Sequence, residues 1–205
     1  MRYSKDDFAS WEKLYRTAVF NTLGGFKTPV LVGTKHPDTG ENLAVFSNYI
    51  HIGANPAMVG LLCRPSIEPG NTYNHILETK HCTINIVAES FYKQAHQTSA
   101  RYEPGISEFA QCGLEPEYLN NFASPYVAQA VIKYGCTWVE THHIGNGTHL
   151  LVLAVDELHL PDDGLAMDGS VNHSKFNTVA VCGLEEYYTT ERLERLNYAK
   201  VNKEI

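Results

Sequence analysis

A chain of 205 residues with 43% hydrophobic and 11% aromatic side chains carries enough apolar surface to bury a substantial core, so one globular domain spanning residues 1–205 is expected. The net charge of −7 is spread along the chain without a basic stripe, which argues against nucleic acid or an anionic membrane as a partner. An anionic ligand would have to be met by a local pocket.

The opening MRYSKDDFAS has no apolar stretch of signal-peptide length, and no later run approaches the roughly 20 apolar residues that span a bilayer; a soluble, cytoplasmic protein is expected. Cys63, Cys82, Cys112, Cys136 and Cys182 are widely spaced and lack a C-x-x-C pair, so they read as reduced, mostly buried residues. Between Asp6 and Thr22, the side chains Phe8, Trp11, Leu14, Tyr15, Ala18 and Val19 recur at helical spacing behind an acidic pair. That pattern predicts one amphipathic helix over residues 5–22, ended by Gly24 and Gly25.

A barrel core is expected over about residues 29–160. Pro29 to Thr34 reads as a strand, HPDTGEN as a turn, and LAVFSNYI as the returning strand of a hairpin. AMVGLLC, after Pro56, is a third strand. Asn71 or Thr72 can cap a helix running to about Lys80, with Tyr73, Ile76 and Leu77 on one face; its first turn offers backbone N–H groups and the positive end of the dipole, where anions bind. CTINIV follows as a buried strand of mostly β-branched residues.

The middle of the chain is expected to be more helical: SFYKQAHQTS and residues 125–133 read as helices, and residues 103–122 as loop with short turns. Together, residues 90–133 could form a rim or lid. GCTWVETHHI and THLLVLAVDELHL then form a hairpin across Gly145-Asn146-Gly147. Residues 161–205 read as an extension, polar and exposed up to Asn177, with a terminal helix in TTERLERLNYA. Strands dominate the centre and no βαβ repetition is visible. A mainly β, antiparallel barrel with peripheral helices is therefore favoured over a doubly wound sheet.

Several chemistries lack their signatures. There is no G-x-S-x-G, no G-x-x-x-x-G-K and no G-x-G-x-x-G after a strand, which speaks against hydrolase, NTPase and Rossmann functions. His142 and His143, as strand neighbours, point to opposite faces, and no carboxylate or cysteine stands beside them or His149 at ligand spacing, so no metal site is expected.

The order of Asn42, Ala44, Ser47 and Tyr49, then Pro56 before an apolar strand, then Thr72, Ile76 and Asn85, resembles the FMN-binding split-barrel flavin reductases, including the flavoredoxin-like and flavoprotein-oxygenase reductase-component groups. The likeness runs from about Pro29 to Leu158, with an echo in VAVCGLEEYY. It implies an antiparallel, Greek-key split β-barrel with flanking helices that holds FMN noncovalently. By that resemblance the flavin phosphate lies at Thr72, with Asn71 and Asn74 as further donors and Arg64 as a charge, and the ring lies against Ser47, Asn48 and Tyr49. The family usually has Asn immediately before the isoleucine, where this chain has His75 with Asn74 one place earlier. His149 matches the family's G-x-H and is the implied catalytic residue near flavin and nicotinamide. The implied reaction is hydride transfer from NADH or NADPH to flavin by a homodimer, with the helices and VAVCGLEEYY completing the neighbour's site and an oxygenase or redox protein as partner. Read without the resemblance, Ser47 and Asn48 are turn formers, Thr72 an N-cap, Arg64 a surface cation and His149 a strand-end residue. The alternative functions are a flavoredoxin-like electron carrier that does not use NAD(P)H directly, and a non-catalytic barrel that binds another small ligand or serves in interactions.

Overall fold

The computed structural model describes residues 1–64, 71–103 and 105–201. Helices α1 (Lys5–Ser10) and α2 (Lys13–Thr22) and a short strand β1 (Phe26–Lys27) precede the antiparallel run β2 (Val30–His36), β3 (Gly40–Phe46), β4 (Tyr49–Ala54) and β5 (Ala57–Cys63). Helix α3 (Thr72–Thr79) leads into β6 (His81–Ile86), followed by α4 (Tyr92–Gln97), α5 (Glu108–Cys112) and the small strands β7 (Pro116–Glu117) and β8 (Tyr126–Val127). The long hairpin β9 (Lys133–His143) and β10 (His149–His159) comes next, and β11 (Val179–Cys182) and β12 (Glu186–Thr189) close the series.

Seven strands form one sheet in the order β3-β2-β6-β9-β10-β5-β4. Its two edge strands, β3 and β4, are joined by Ser47 and Asn48 alone. Six inter-strand steps would separate the edges of a flat sheet by about 29 Å. The link from Phe46 to Tyr49 spans at most roughly 11 Å. The sheet must therefore curl until its edges approach at this corner, which makes an antiparallel barrel with an unpaired split between β3 and β4.

Alternation along the strands fills the barrel. Val30 and Val32, Val59 and Leu61, Cys82 and Ile84, Tyr134 and Cys136, and Leu151 and Leu153 meet in one buried cluster with Ile76 of α3. On the outer face, Leu31 and Leu43 are covered by Phe91, Ala95, Phe109 and Cys112 of the α4–α5 region. Strand β2 is thus buried on both sides, which accounts for its continuous apolar run. Gly33 lies on it where a β-carbon would collide with the carbonyl oxygen of Pro125, so the segment after Pro125 can lie directly against the sheet.

Four expectations are corrected. The helix expected over residues 5–22 is two helices: Trp11 is extended, and the Glu12 carboxylate accepts the N–H groups of Leu14 and Tyr15, starting α2 afresh. Residues 125–133 are not helical. The Pro125 carbonyl accepts the Thr83 hydroxyl, Val127 N–H donates to the Asn85 side chain, and β8 pairs with β7, which hold residues 125–127 extended before a turn and a bend lead into β9. The terminal helix of TTERLERLNYA is also absent, and Leu193, Leu196 and Tyr198 are exposed. A segment that short is marginal as a helix without a surface against which to bury its apolar stripe. The expected strand over LAVFSNYI ends at Phe46, and a further strand, β4, begins at Tyr49. Among the described residues no helix is long and apolar enough to cross a membrane.

Candidate functional site

The corner that closes the sheet also collects the polar residues singled out in the sequence. Asn71 caps α3 by accepting the Asn74 N–H at 2.9 Å, and the first intrahelical bond runs from His75 N–H to the Asn71 carbonyl. By position, the amides of Thr72 and Tyr73 precede that bond and mark the positive end of the helix. Strand β5 brings Leu62, Cys63 and Arg64 alongside, and Asn48 is pinned there because its carbonyl accepts the Leu62 N–H. These groups line a cleft of about 590 Å³, within the range typical of small-molecule sites.

The cleft has two characters. Asn71, Thr72, Glu185 and Arg64 supply polar and charged lining, and the Arg64 guanidinium donates to the Asn21 side chain of α2 at 3.4 Å. Phe46, Leu62, Cys63, Tyr73, Leu184 and Tyr187 supply apolar and aromatic wall. Burial, with a smaller contribution from the nearby Cys82 thiol, pushes the Cys63 thiol up to about 12. It is a neutral wall group at ordinary pH, since the thiolate is the reactive form. Burial also raises the Tyr187 phenol.

A second cleft, of about 520 Å³, adjoins the first at Ala44, Asn71 and Thr72. Its walls include Glu41, Glu103 and Glu108 as well as Arg101. Burial raises the Glu108 carboxyl, although Leu43 N–H donates to it at 3.0 Å.

A line of side chains runs from the wall of the second cleft, which Thr39, Asn42 and His75 help form, to Thr72, shared with the first. Asn42 Nδ2 donates to Thr72 Oγ1 at 3.0 Å and to Thr34 Oγ1 at 3.3 Å. Thr34 Oγ1 lies 3.0 Å from His75 Nδ1, and His75 Nε2 lies 2.7 Å from Thr39 Oγ1. Thr34, Thr72 and His75 are all buried. Burial lowers the affinity of His75 for a second proton, the neighbouring His36 adds to the effect, and Glu78 opposes it.

Of the residues singled out from the sequence, Ser47, Asn48, Arg64, Asn71 and Thr72 share the first cleft. Tyr49 and Asn74 are not among its lining residues. The Tyr49 ring packs toward the barrel core and accepts a hydrogen bond from the Tyr134 hydroxyl, while the Asn74 backbone sits behind the cap. His149 lies one layer back, its ring stacked on Tyr73 with centroids 4.6 Å apart and its Nδ1 2.9 Å from that of His143 across the β9–β10 pair. No group of three or more metal-ligating side chains occurs among the described residues. Of residues 90–133, His96 and Ser99 reach the first cleft, whereas residues 100–103, 105, 106 and 108 line the second.

Sequence reasoning did not identify Tyr73, His96 and Ser99 as wall residues. Val181, Leu184, Glu185 and Tyr187, in the segment expected to reach a neighbour's site, line the cleft of their own chain. The β11–β12 hairpin, whose β11 also pairs with β1, carries them there. The recurrence of VAVCGLEEYY as a family echo was the available signal.

The family model described as "Flavin reductase like domain" matches residues 23–179. A split-barrel-domain structure from Shewanella frigidimarina, named for a proposed flavin reductase activity, is 40% identical, with a TM-score of 0.92 over 97% of this chain and 100% of that one. Nitrilotriacetate monooxygenase component B from Bacillus cereus superposes with a TM-score of 0.83 at 16% identity, covering 96% of this chain and 98% of its own. Flavoredoxin of Desulfovibrio vulgaris (Miyazaki F) superposes with a TM-score of 0.71 at 20% identity, covering 98% and 99%. At those lower identities the likeness is one of fold.

Proposed function

The chain belongs to the flavin reductase-like domain family, and from that premise we propose that it binds FMN in the cleft at the barrel split and catalyses hydride transfer to it from NADH or NADPH. One observation carries this reading: the capped start of α3, Arg64 and the Ser47–Asn48 corner converge on a single cavity whose remaining wall is apolar and aromatic. That combination suits a phosphate at one end and a flat ring at the other.

The proposed roles follow the placement. Thr72 and the first α3 amides receive the phosphate, assisted by Asn71 and by the charge of Arg64. Ser47 and Asn48 border the ring. Tyr49 holds the corner from inside the barrel through Tyr134, and Asn74 supports the cap. His149 acts by positioning Tyr73, on which its ring is stacked. Held by these residues, flavin would supply two-electron redox chemistry; the protein supplies binding, orientation and, at Cys63, a neutral thiol in the wall.

A cytoplasmic homodimer, one domain per chain, completes the proposal. The aromatic cluster of Phe8, Trp11, Tyr15 and Phe20 at α1 and α2, half-buried at Phe8 and Trp11 and exposed at Tyr15 and Phe20, offers a surface for the second copy. The component B relative supports an oxygenase as recipient of reduced flavin. The flavoredoxin likeness supports a second reading, an FMN electron carrier reduced by another protein.

The test is purification followed by anaerobic addition of NADH. Yellow protein, or protein reconstituted with FMN, that bleaches on addition supports the reductase. Yellow protein that NADH and NADPH leave unbleached supports the carrier, and a protein that takes up no FMN ends both. His149→Ala is expected to slow bleaching while FMN stays bound, and a wild-type rate would remove His149 from the reaction.

A further inference from the structure

The side chains running from the wall of the second cleft to Thr72 form an ordered series, Thr39–His75–Thr34–Asn42–Thr72, and hydrogen-bond chemistry gives it a direction. Asn42 presents its amino group to both Thr34 Oγ1 and Thr72 Oγ1, so both hydroxyl oxygens accept. Thr34 itself is fully buried, so its hydroxyl hydrogen then needs an acceptor of its own. His75 Nδ1, 3.0 Å away, provides one if it carries no proton, and Nε2–H then donates to Thr39 Oγ1 at 2.7 Å. The opposite tautomer would put Nδ1–H against a Thr34 oxygen already accepting from Asn42, leaving the Thr34 hydrogen without a described acceptor. Such a buried orphan is costly, and burial also keeps the ring neutral. At the other end, Thr72 Oγ1 accepts from Asn42, so its own hydrogen is available to the clefts that Thr72 lines.

We propose that His75 is a positioning residue: by accepting from Thr34 it fixes the orientation of the Asn42 amide, so that the Thr72 hydroxyl donates to the ligand's phosphate instead of to Asn42.

The alternative state is well defined. Without an acceptor at position 75, Thr34 can turn its hydrogen toward Asn42. The Asn42 amide then flips and its carbonyl oxygen accepts from both threonines. The Thr72 hydrogen is consumed, and the phosphate meets a hydroxyl lone pair where it needs a donor. Asparagine at position 75 can place its side-chain oxygen near the Nδ1 position and keep the original direction, whereas leucine cannot.

This inference rests on the proposed placement of the FMN phosphate at Thr72, and the experiment separates the two. The dissociation constants of FMN and of riboflavin, which lacks the phosphate, are measured by flavin fluorescence titration on the purified full-length chain. Wild type is expected to prefer FMN, and Thr72→Val to lose about tenfold of that preference. His75→Leu should lose a similar factor for FMN with riboflavin binding unchanged, and His75→Asn should restore the preference. If His75→Leu does not fold, His75→Phe keeps a ring at the position without an acceptor and should show the same selective loss. Retained FMN preference in His75→Leu or His75→Phe, alongside its loss in Thr72→Val, overturns the proposal for His75. Equal loss of FMN and riboflavin binding in His75→Leu also overturns it, because a structural defect would not single out the phosphate. An unchanged preference in Thr72→Val overturns both this proposal and the phosphate placement beneath it.

Discussion

The two clefts that meet at Thr72 share the start of α3 but differ in charge. On one side the helix end is joined by Arg64 and Glu185 and by apolar and aromatic wall; on the other by three carboxylates, Glu41, Glu103 and Glu108, beside Arg101. A helix terminus is by itself indifferent to which side an anion approaches from. The strand carrying Arg64 breaks that symmetry, and the carboxylates opposite reinforce the choice. Sidedness at this site is thus set by tertiary placement, with the helix supplying the general attraction.

The largest effect should come from reversing this asymmetry. Arg64→Glu removes a charge-assisted donor, typically about 1.5–3 kcal/mol, and adds repulsion; FMN affinity measured by calorimetry should fall by roughly a hundredfold. A fall of less than about threefold would show that Arg64 does not face the phosphate. Thr72→Ala should weaken FMN by about tenfold, with the barrel still folded by circular dichroism. The opposite cleft provides the control: Glu108→Gln should leave FMN affinity within about twofold. If it changes affinity as much as Thr72→Ala does, the two clefts act as one site.

The smallest expected effect is on stability. His75 is held neutral in the fold, so below its ordinary value of 6.5 the unfolded chain takes up a proton that the folded chain resists. Its contribution is therefore absent well above pH 6.5 and becomes destabilising as pH falls through that value toward the lower folded one. Denaturant titrations of wild type and His75→Asn across this range should show a smaller acid loss in the variant; parallel curves would contradict the neutral assignment.

Much of the barrel was legible because its instructions are local. AMVGLLC, CTINIV and the two strands around Asn146-Gly147 alternate or run apolar over the lengths they occupy, and Asn71 supplies a cap immediately before its helix. The break at Glu12 was equally local, since a carboxylate can cap the two amides that follow it. By contrast, residues 125–127, at the start of a segment that reads as helical, are held extended by Thr83 and Asn85, some forty residues earlier in the chain. The pattern in residues 189–199 suits a helix, but the fold gives its apolar side nothing to pack against. At the site, Ser47, Asn48, Arg64, Asn71 and Thr72 belong to one motif block. His96, Leu184 and Tyr187 reach it through packing that only the closed barrel creates.

The central claim is that a flavin phosphate binds at the start of α3. The most direct measurement is the ratio of riboflavin to FMN dissociation constants for the wild-type protein at fixed salt. A ratio of about ten or more agrees with the account, because the phosphate should recover charge-assisted hydrogen bonds from Thr72, the first α3 amides and Arg64. Equal affinities would contradict it.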